Sequence, residues 1–107
     1  MDDCLFCQIV NNQERTLFYE TQELAVIADI APKAKYHYLI IPKKHIGSLL
    51  ESGPNDAELL GKLLHASTIL AERLELDPPS YRIVINTGTA AGQTIQHLHI
   101  HFLAGQP

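Results

Sequence analysis

The chain has 107 residues, of which 46% are hydrophobic and 19% are charged, and its formal net charge is −4. This length suits a single domain with its own core, predicted to span residues 1–107. The negative charge gives no electrostatic basis for a nucleic-acid-binding protein, and no apolar run approaches the roughly 20 residues of a membrane span. The acidic start lacks the basic and apolar regions of a signal peptide, so we expect a cytoplasmic location and no membrane partner.

The N-terminal part of the chain predicts a short helix followed by strands. Apolar residues recur with helical spacing over residues 5–10, and two asparagines close this helix. Residues 16–20 and 24–29 predict two short antiparallel strands around a polar turn. Residues 36–42 are aromatic and β-branched and end in proline, which predicts a third strand.

A longer helix is predicted from Asn55, which is a good N-cap and is followed three residues later by Glu58. An apolar stripe then runs along one face, and residues 77–79 end the helix. His65 and Glu72 are interpreted as solvated helix residues. Residues 81–86 predict a fourth core strand, and a small, glycine-bearing loop at 87–94 leads into the last strand. The stripe comprises Leu60, Leu63, Leu64, Ser67, Leu70, Ala71 and Leu74.

Residues 96–103 contain three of the six histidines in alternation with apolar residues. In a strand, alternate side chains point to opposite faces. Leu98, Ile100 and Phe102 would enter a core, and the three histidines would stand on the other face, roughly 6.6 Å apart. A row of histidines on an open strand face indicates a functional site. The histidines are His97, His99 and His101.

Three chemistries are open to this row. Alternate histidines could share a metal ion, although a hydrolytic metal site usually recruits a carboxylate base as well. A neutral imidazole could instead attack phosphorus, if its second ring nitrogen gave its hydrogen to a carbonyl group. Loop N–H groups and flanking histidines would then stabilise the phosphate oxygens. The third interpretation is structural: the histidines would find their hydrogen-bond partners across a sheet edge or a dimer interface.

The two cysteines, Cys4 and Cys7, also have three interpretations. A disulfide does not suit a reducing compartment, and a thioredoxin-like redox pair should follow a strand. Half of a zinc site is the third, and it needs two further ligands from elsewhere. Separately, four lysines cluster around the third strand and could hold a small anion, with a solubilising patch preferred. These are Lys33, Lys35, Lys43 and Lys44.

At this point the sequence resembles a known family. The seven residues from His97 to Leu103 fit the pattern His-φ-His-φ-His-φ-φ, where φ is apolar, of the histidine-triad (HIT) proteins. It looks most like their nucleotide-binding branch. The resemblance implies an α+β, HIT-like fold: a five-stranded antiparallel sheet with one long helix and a short N-terminal helix, assembled as a homodimer. It extends to Phe6 with Ile9, Asp29-Ile30, residues 37–46, Ile85-Asn86 and Gly92-Gln93-Thr94.

The resemblance implies a role for each matching residue. His99 would be the nucleophile that forms a nucleotidyl-histidine, and His101 would hydrogen-bond the phosphate. His37 would orient the triad from behind. Asp29 would accept hydrogen bonds from the ribose hydroxyls. Phosphate and sugar would be held by Asn86, Gly92, Gln93 and Thr94, and the base would be walled by Phe6, Ile9 and Ile30.

The same resemblance bears on the cofactor and the reaction. Many bacterial relatives carry a zinc ion, which would be structural here and would have Cys4, Cys7, His45 and His97 as its ligands. The expected function is hydrolysis of the P–N bond of purine nucleoside 5′-phosphoramidates, with nucleoside monophosphate derivatives as ligands. A dinucleoside polyphosphate hydrolase and a non-catalytic nucleotide-binding or interaction module are the alternatives.

Overall fold

The computed structural model describes residues 4–12 and 15–105, so the acidic start at residues 1–3 lies outside the described part. Within these described residues, two α-helices and five strands follow one another in the order α1, β1, β2, β3, α2, β4, β5. Three short 3₁₀ turns lie at Leu49–Glu51, Pro54–Asp56 and Thr89–Ala91. The elements are α1 Leu5–Asn12, β1 Tyr19–Glu20, β2 Leu24–Ala28, β3 Tyr36–Pro42, α2 Ala57–Arg73, β4 Arg82–Val84 and β5 Ile100–Ala104.

The strands form one five-stranded antiparallel sheet with the order β1-β2-β3-β5-β4. The sheet, the long helix α2 and the short helix α1 confirm the predicted fold class. Strand β3 lies at the centre, where Leu39 faces His101 and Ile40 faces Ile100 on β5. The last strand in sequence therefore lies beside the middle one, which places the histidine segment near the centre of the sheet.

The two faces of the sheet carry separate hydrophobic clusters. Helix α2 covers one face and packs Leu63 and Leu70 against Ile100 and Phe102. Helix α1 covers the other face. Alternation along β3 produces this division, because Ile40 belongs to the α2 cluster whereas Leu39 and Ile41 belong to the α1 cluster.

The predicted strands differ from the observed ones mainly at their ends. Strand β3 spans the predicted residues, whereas β1 begins at Tyr19 and β4 covers only Arg82–Val84. Both short strands lie at the edges of the sheet, where only one neighbour supplies hydrogen bonds. Residue patterns alone therefore predict edge strands that are too long.

The start of α2 also differs from the prediction. A 3₁₀ turn with Pro54 at its first position precedes the helix, so the N-cap is Asp56 and not Asn55. The Asp56 carboxylate accepts the Gly53 N–H and pairs with Lys44. The reason is Pro54, whose fixed φ and missing N–H suit the first turn of a helix.

The apolar stripe of α2 is narrower than predicted. Leu63, Ser67 and Leu70 are buried, but Leu64 is 48% exposed. His65 is exposed, in agreement with its interpretation as a solvated residue. No helix in residues 4–12 and 15–105 is both long and apolar enough to cross a bilayer.

The histidine segment is only partly a strand, which corrects the prediction of a strand over residues 96–103. β5 begins at Ile100. The same register would put Leu98 opposite Pro42, which has no N–H to continue the ladder. The Leu98 N–H donates instead to the Ile46 carbonyl at 2.6 Å. The apolar residues still enter the core, as expected, since Leu98, Ile100 and Phe102 are buried.

Candidate active site

The three histidines of the triad lie on the face of the sheet that α1 covers. His97 is fully buried, His99 is 7% exposed, and His101 is half-buried. The rings of His99 and His101 meet edge to face, with centroids 5.1 Å apart. The His97 ring instead approaches His45 at 4.9 Å. The row therefore divides into a pair that faces outward and a single histidine that faces the cysteines.

His99 is held by one hydrogen bond. Its Nδ1 lies 2.7 Å from the carbonyl oxygen of His97. A carbonyl can only accept, so Nδ1 carries the hydrogen and Nε2 holds the lone pair. Nε2 has no hydrogen-bond partner among the described residues. Every buried side-chain nitrogen and oxygen in that part of the chain has one, so Nε2 reaches solvent. This is the ring state that a nucleophilic imidazole requires.

His101 is held by a chain of hydrogen bonds that begins at the backbone. The Lys33 N–H donates to His37 Nδ1 at 3.1 Å, which leaves the His37 hydrogen on Nε2. His37 Nε2 lies 2.9 Å from His101 Nδ1 and donates to it. The neutral His101 ring then carries its own hydrogen on Nε2. Beside the lone pair of His99, the site therefore offers a hydrogen-bond donor for a phosphate oxygen.

Asp29 lies beside this chain. Its Oδ2 is 3.3 Å from His37 Nε2, and its Oδ1 accepts the Ala31 N–H. Ligand atoms of Asp29, His37 and His101 all lie within 4.8 Å of one another. These residues do not fit a metal ion, because the Lys33 N–H leaves His37 Nε2 protonated and without a lone pair. The cluster is a hydrogen-bonded relay.

Burial favours the neutral form of three histidines of the site. Burial, together with smaller contributions from the neighbouring His99 and His37, lowers the pKa of His101 to about 4. It also lowers the pKa of His37, which the Asp29 carboxylate partly opposes. The pKa of His97 is lowered by burial as well. At neutral pH these rings therefore act as neutral donors and acceptors.

A second cluster lies next to the triad. Cys4 Sγ is 3.3 Å from His97 Nδ1, and Cys7 Sγ is 3.5 Å from the same atom and 3.2 Å from His45 Nδ1. All four ligand atoms lie within 4.8 Å of one another. The structure therefore brings together the four residues that the resemblance implies as zinc ligands.

The chemistry of these four residues fits a zinc ion. In a tetrahedral site with two sulfur and two nitrogen ligands, ligand atoms lie about 3.3–3.8 Å apart. The sulfur–nitrogen contacts here are close to that range. His97 Nε2 donates to the Pro42 carbonyl at 2.8 Å, so Nδ1 presents a lone pair to the cluster. Burial, reinforced by Cys4, raises the pKa of the Cys7 thiol to about 11, so a metal ion would have to displace its proton.

The residues expected around phosphate and sugar occupy the loop before β5. Gly92 has φ +97°, a conformation that favours glycine, and a Cβ added there would lie 3.9 Å from the Asn86 side chain. Gln93 is 3% exposed and spans the loop: its side-chain oxygen accepts the Gly88 N–H and its amide donates to Gly47 and Ile95 carbonyls. Its polar atoms thus have partners inside the protein, and Gln93 braces the loop. Thr94 is exposed.

The residues expected to wall the base are not equally accessible. Phe6 is 3% and Ile9 is 2% exposed, whereas Ile30 is 85% exposed. The Phe6 ring packs edge-on against His99, with centroids 5.0 Å apart. Phe6 and Ile9 therefore form a floor beneath the site, and Ile30 offers open apolar surface.

The lysines do not form one anion site. Lys43 pairs with Glu20 and Lys44 pairs with Asp56, which agrees with the preferred interpretation of a solubilising patch. Lys33 contributes through its backbone N–H, at the relay described above. Sequence patterns did not identify this group, nor the carbonyls of Pro42 and Ile46, because backbone contacts between distant segments leave no signal in residue type.

Comparison with known proteins shows which family the chain belongs to. A family model described as "Scavenger mRNA decapping enzyme C-term binding" matches residues 3–106. An uncharacterized HIT-like protein of Synechococcus elongatus is 41% identical over 106 residues, which cover 98% of this chain and 92% of that protein. The chain belongs to the histidine-triad family.

Solved structures of histidine-triad proteins share the fold. The crystal structure of a HIT family hydrolase from Legionella pneumophila has a TM-score of 0.92 and 37% identity, and the match covers 98% of this chain and 95% of that one. A histidine triad nucleotide-binding protein from Candida albicans has a TM-score of 0.86 and 28% identity, with 98% and 76% covered. Both structures match this chain over 98% of its length, so the fold of the family extends over the described domain.

Proposed function

We propose that this protein hydrolyses the P–N bond of purine nucleoside 5′-phosphoramidates through a nucleotidyl-histidine intermediate on His99. The observation that carries the proposal is the hydrogen bond from His99 Nδ1 to the His97 carbonyl, because it leaves the Nε2 lone pair available at the surface. The name of the Candida albicans relative supports nucleotide binding, and that of the Legionella pneumophila relative supports hydrolysis.

In the first step, His99 Nε2 attacks the α-phosphorus as the P–N bond breaks. The leaving amine takes a proton from solvent or from the phosphoramidate itself. The ring keeps its Nδ1 hydrogen and becomes cationic, so the hydrogen bond to the His97 carbonyl strengthens. His101 Nε2–H donates to a phosphate oxygen. Because His101 is neutral, it adds no positive charge beside the cationic ring.

In the second step, water attacks the phosphorus and the Nε2–P bond breaks. The electron pair of that bond returns to Nε2, and a proton from the water is released. The products are the nucleoside monophosphate and a neutral His99 that still carries its hydrogen on Nδ1. The enzyme has returned to its starting state, so the cycle needs no further group.

The test compares wild type with His99→Ala on adenosine 5′-phosphoramidate. We expect the variant to lose turnover and to keep nucleotide binding, measured by calorimetry with AMP. In a single-turnover reaction, mass spectrometry should find AMP attached to His99 of the wild type. More than a few per cent residual turnover in His99→Ala would show that another group is the nucleophile.

The two alternatives predict different outcomes in the same assay. A dinucleoside polyphosphate hydrolase would turn over diadenosine polyphosphates faster than the phosphoramidate. A non-catalytic binding module would bind AMP and form no nucleotidyl-enzyme. The intact relay to His101 and the lone pair on His99 favour a catalytic site over that last alternative.

A structural zinc ion is the second part of the proposal. Cys4, Cys7, His45 and His97 would hold it, and it would tie the start of α1 to the segment that carries the triad. The ion supplies a fixed tetrahedral junction and takes no part in the reaction steps above. Protein purified without chelator should contain one zinc per chain by atomic spectroscopy, and Cys7→Ser should lower this content strongly. A wild-type content far below one would contradict the assignment.

A homodimer is the third part. Strand β4 ends the sheet and has β5 as its one neighbour among the described strands. Tyr81 precedes it and is 37% exposed, and its hydroxyl meets Ser67, whose Oγ also bonds the Leu64 carbonyl. Exposed apolar side chains therefore adjoin an open strand edge, which is a surface suited to a second copy of the chain.

A further inference from the structure

His97 belongs to both clusters of the site. Its Nδ1 faces the sulfur atoms of Cys4 and Cys7, and its Nε2 donates to the Pro42 carbonyl. Its own carbonyl accepts the hydrogen of His99 Nδ1. The residue is fully buried, so it has no path to substrate. Its hydrogen bond to the proposed nucleophile runs through its peptide group.

The peptide group that joins His97 to Leu98 is fixed at both of its polar atoms. Its carbonyl oxygen accepts from His99 Nδ1, and its N–H donates to the Ile46 carbonyl at 2.6 Å. Ile46 directly follows His45. The two segments that orient this peptide group therefore each contain one imidazole of the four-residue cluster, His45 and His97.

This peptide group has no support from the sheet. Strand β5 begins at Ile100, and Pro42 cannot donate a hydrogen bond to the segment opposite it. The ring of His99 has no other hydrogen bond among the described residues. The tautomer of His99 thus depends on one carbonyl, and the observed hydrogen bond that orients its peptide group is the one from the Leu98 N–H to Ile46, next to the Cys/His cluster.

A second contact runs between the same two clusters. Phe6 lies between Cys4 and Cys7 in the sequence, and its ring packs edge-on against both His97 and His99, with centroids 6.0 and 5.0 Å apart. A change in the position of the cysteine segment would therefore also move the wall against which the His99 ring rests.

We infer that the Cys/His cluster is a positioning device for the nucleophile, acting through the peptide group between His97 and Leu98. With the four ligands held together, for which a zinc ion is suited, His99 keeps its hydrogen on Nδ1 and its lone pair on Nε2. With the ligands released, the carbonyl turns and the His99 ring populates its other tautomer, which cannot attack phosphorus at Nε2. The inference rests on the proposed function in naming His99 as the nucleophile and in assigning zinc to the four ligands.

The first experiment reads the tautomer directly and needs no substrate. Protein labelled with ¹⁵N is studied by NMR with one equivalent of zinc and after chelation, and the His99 ring signals are assigned with His99→Gln. We expect a protonated Nδ1 and an unprotonated Nε2 with zinc, and a mixture of both tautomers without it. Identical His99 signals in the two states, together with a lower melting temperature without zinc, would overturn the inference.

The second experiment separates positioning from general loosening. Zinc removal should lower kcat for the phosphoramidate about tenfold or more, with little change in KM. In metal sites, loss of a group that orients a ligand from outside typically has an effect of this size. Cys7→Ser should reproduce both the kinetic change and the NMR change. Ser67→Ala removes a hydrogen bond on α2, across the sheet, and should lower stability while leaving both readouts unchanged.

The outcomes also separate this inference from the proposed function. If the tautomer changes with zinc but no phosphoramidate is cleaved, the positioning device stands and the reaction class is wrong. If the phosphoramidate is cleaved at the same kcat with and without zinc, the reaction stands and the coupling is wrong. If Ser67→Ala shifts the His99 signals as strongly as Cys7→Ser does, loosening of the whole fold explains the effect.

Discussion

Backbone groups decide which ring nitrogen carries the hydrogen in each histidine of the site. Carbonyl oxygens fix His97 and His99, and the Lys33 N–H fixes His37 and through it His101. Side chains with two interchangeable protonation sites thereby obtain one fixed state each. The chemistry of the site is consequently set as much by the path of the backbone as by residue type.

Replacement of His37 tests the relay. His37→Ala should lower kcat for the phosphoramidate about 10- to 100-fold, because His101 can then take its hydrogen on Nδ1 and turn a lone pair toward the phosphate. His37→Gln, whose amide can still donate near the Nε2 position, should recover part of the loss. Steady-state kinetics below the melting temperature of each variant measures this. Equal activity of His37→Ala and wild type would leave the relay without function.

The pH dependence of stability follows from His101. Its pKa in the folded protein is about 4, below the value near 6.5 of an unfolded chain. As the pH falls, the unfolded state therefore binds the proton first. The contribution of neutral His101 to the stability of the folded protein is complete above pH 6.5 and is lost progressively as the pH falls toward 4. Denaturant unfolding across this window should give a shallower pH slope for His101→Asn than for wild type. Parallel slopes would contradict the lowered pKa.

At the scale of residues, the sequence could predict which side chains belong to the site, but it could not predict which groups those side chains contact. The alternation of histidines identified His99 and His101, and the cysteine pair with His45 and His97 identified the second cluster once the family was recognised. Gln93 shows what residue type leaves open, since the resemblance implied a contact with phosphate or sugar and the structure gives its side chain three contacts inside the protein. Such contacts depend on how distant segments meet.

At the scale of elements, internal strands and the long helix follow from their patterns, whereas ends depend on neighbours. Tyr36–Pro42 matches its prediction because the strand is central and ends at a proline. Helix α2 begins one residue later than expected because Pro54 opens a separate 3₁₀ turn. Strand β5 is shorter at its start because its partner offers no donor at Pro42.

Helix α2 provides a test of what holds the fold together. Leu70 is fully buried in the cluster beneath α2, so Leu70→Ala should lower the free energy of unfolding by about 2–5 kcal/mol. Leu64→Ala, on the same helix but half-exposed, should cost less than about 1 kcal/mol. Chemical denaturation measures both. Both variants should keep wild-type kcat well below their melting temperatures, and a large loss of kcat in Leu70→Ala would contradict the separation of the two faces.

At the scale of the whole molecule, the open edge of the sheet predicts self-association. Leu64 is exposed and lies one turn of α2 before Ser67, which contacts Tyr81 next to strand β4. Leu64→Asp adds a charge to this surface, so it should convert a dimer to a monomer in light scattering after size-exclusion chromatography. His65→Asp is the matched control, because His65 is exposed on the same helix and faces Tyr19 and the opposite edge of the sheet. A wild type that stays monomeric at high micromolar concentration would remove the dimer from the proposal.

The two faces of the sheet also bear on how this protein can be altered. Residues of strands β3 and β5 alternate between the cluster under α2 and the side that holds the triad, with a single layer of backbone between them. A designer could therefore repack the helical side to make a heat-resistant variant and leave the catalytic chemistry as it is. Changes on the side that holds the triad are more restricted. There Phe6 and His97 each contact both the cysteine cluster and His99, so few substitutions would affect the cluster without affecting the proposed nucleophile.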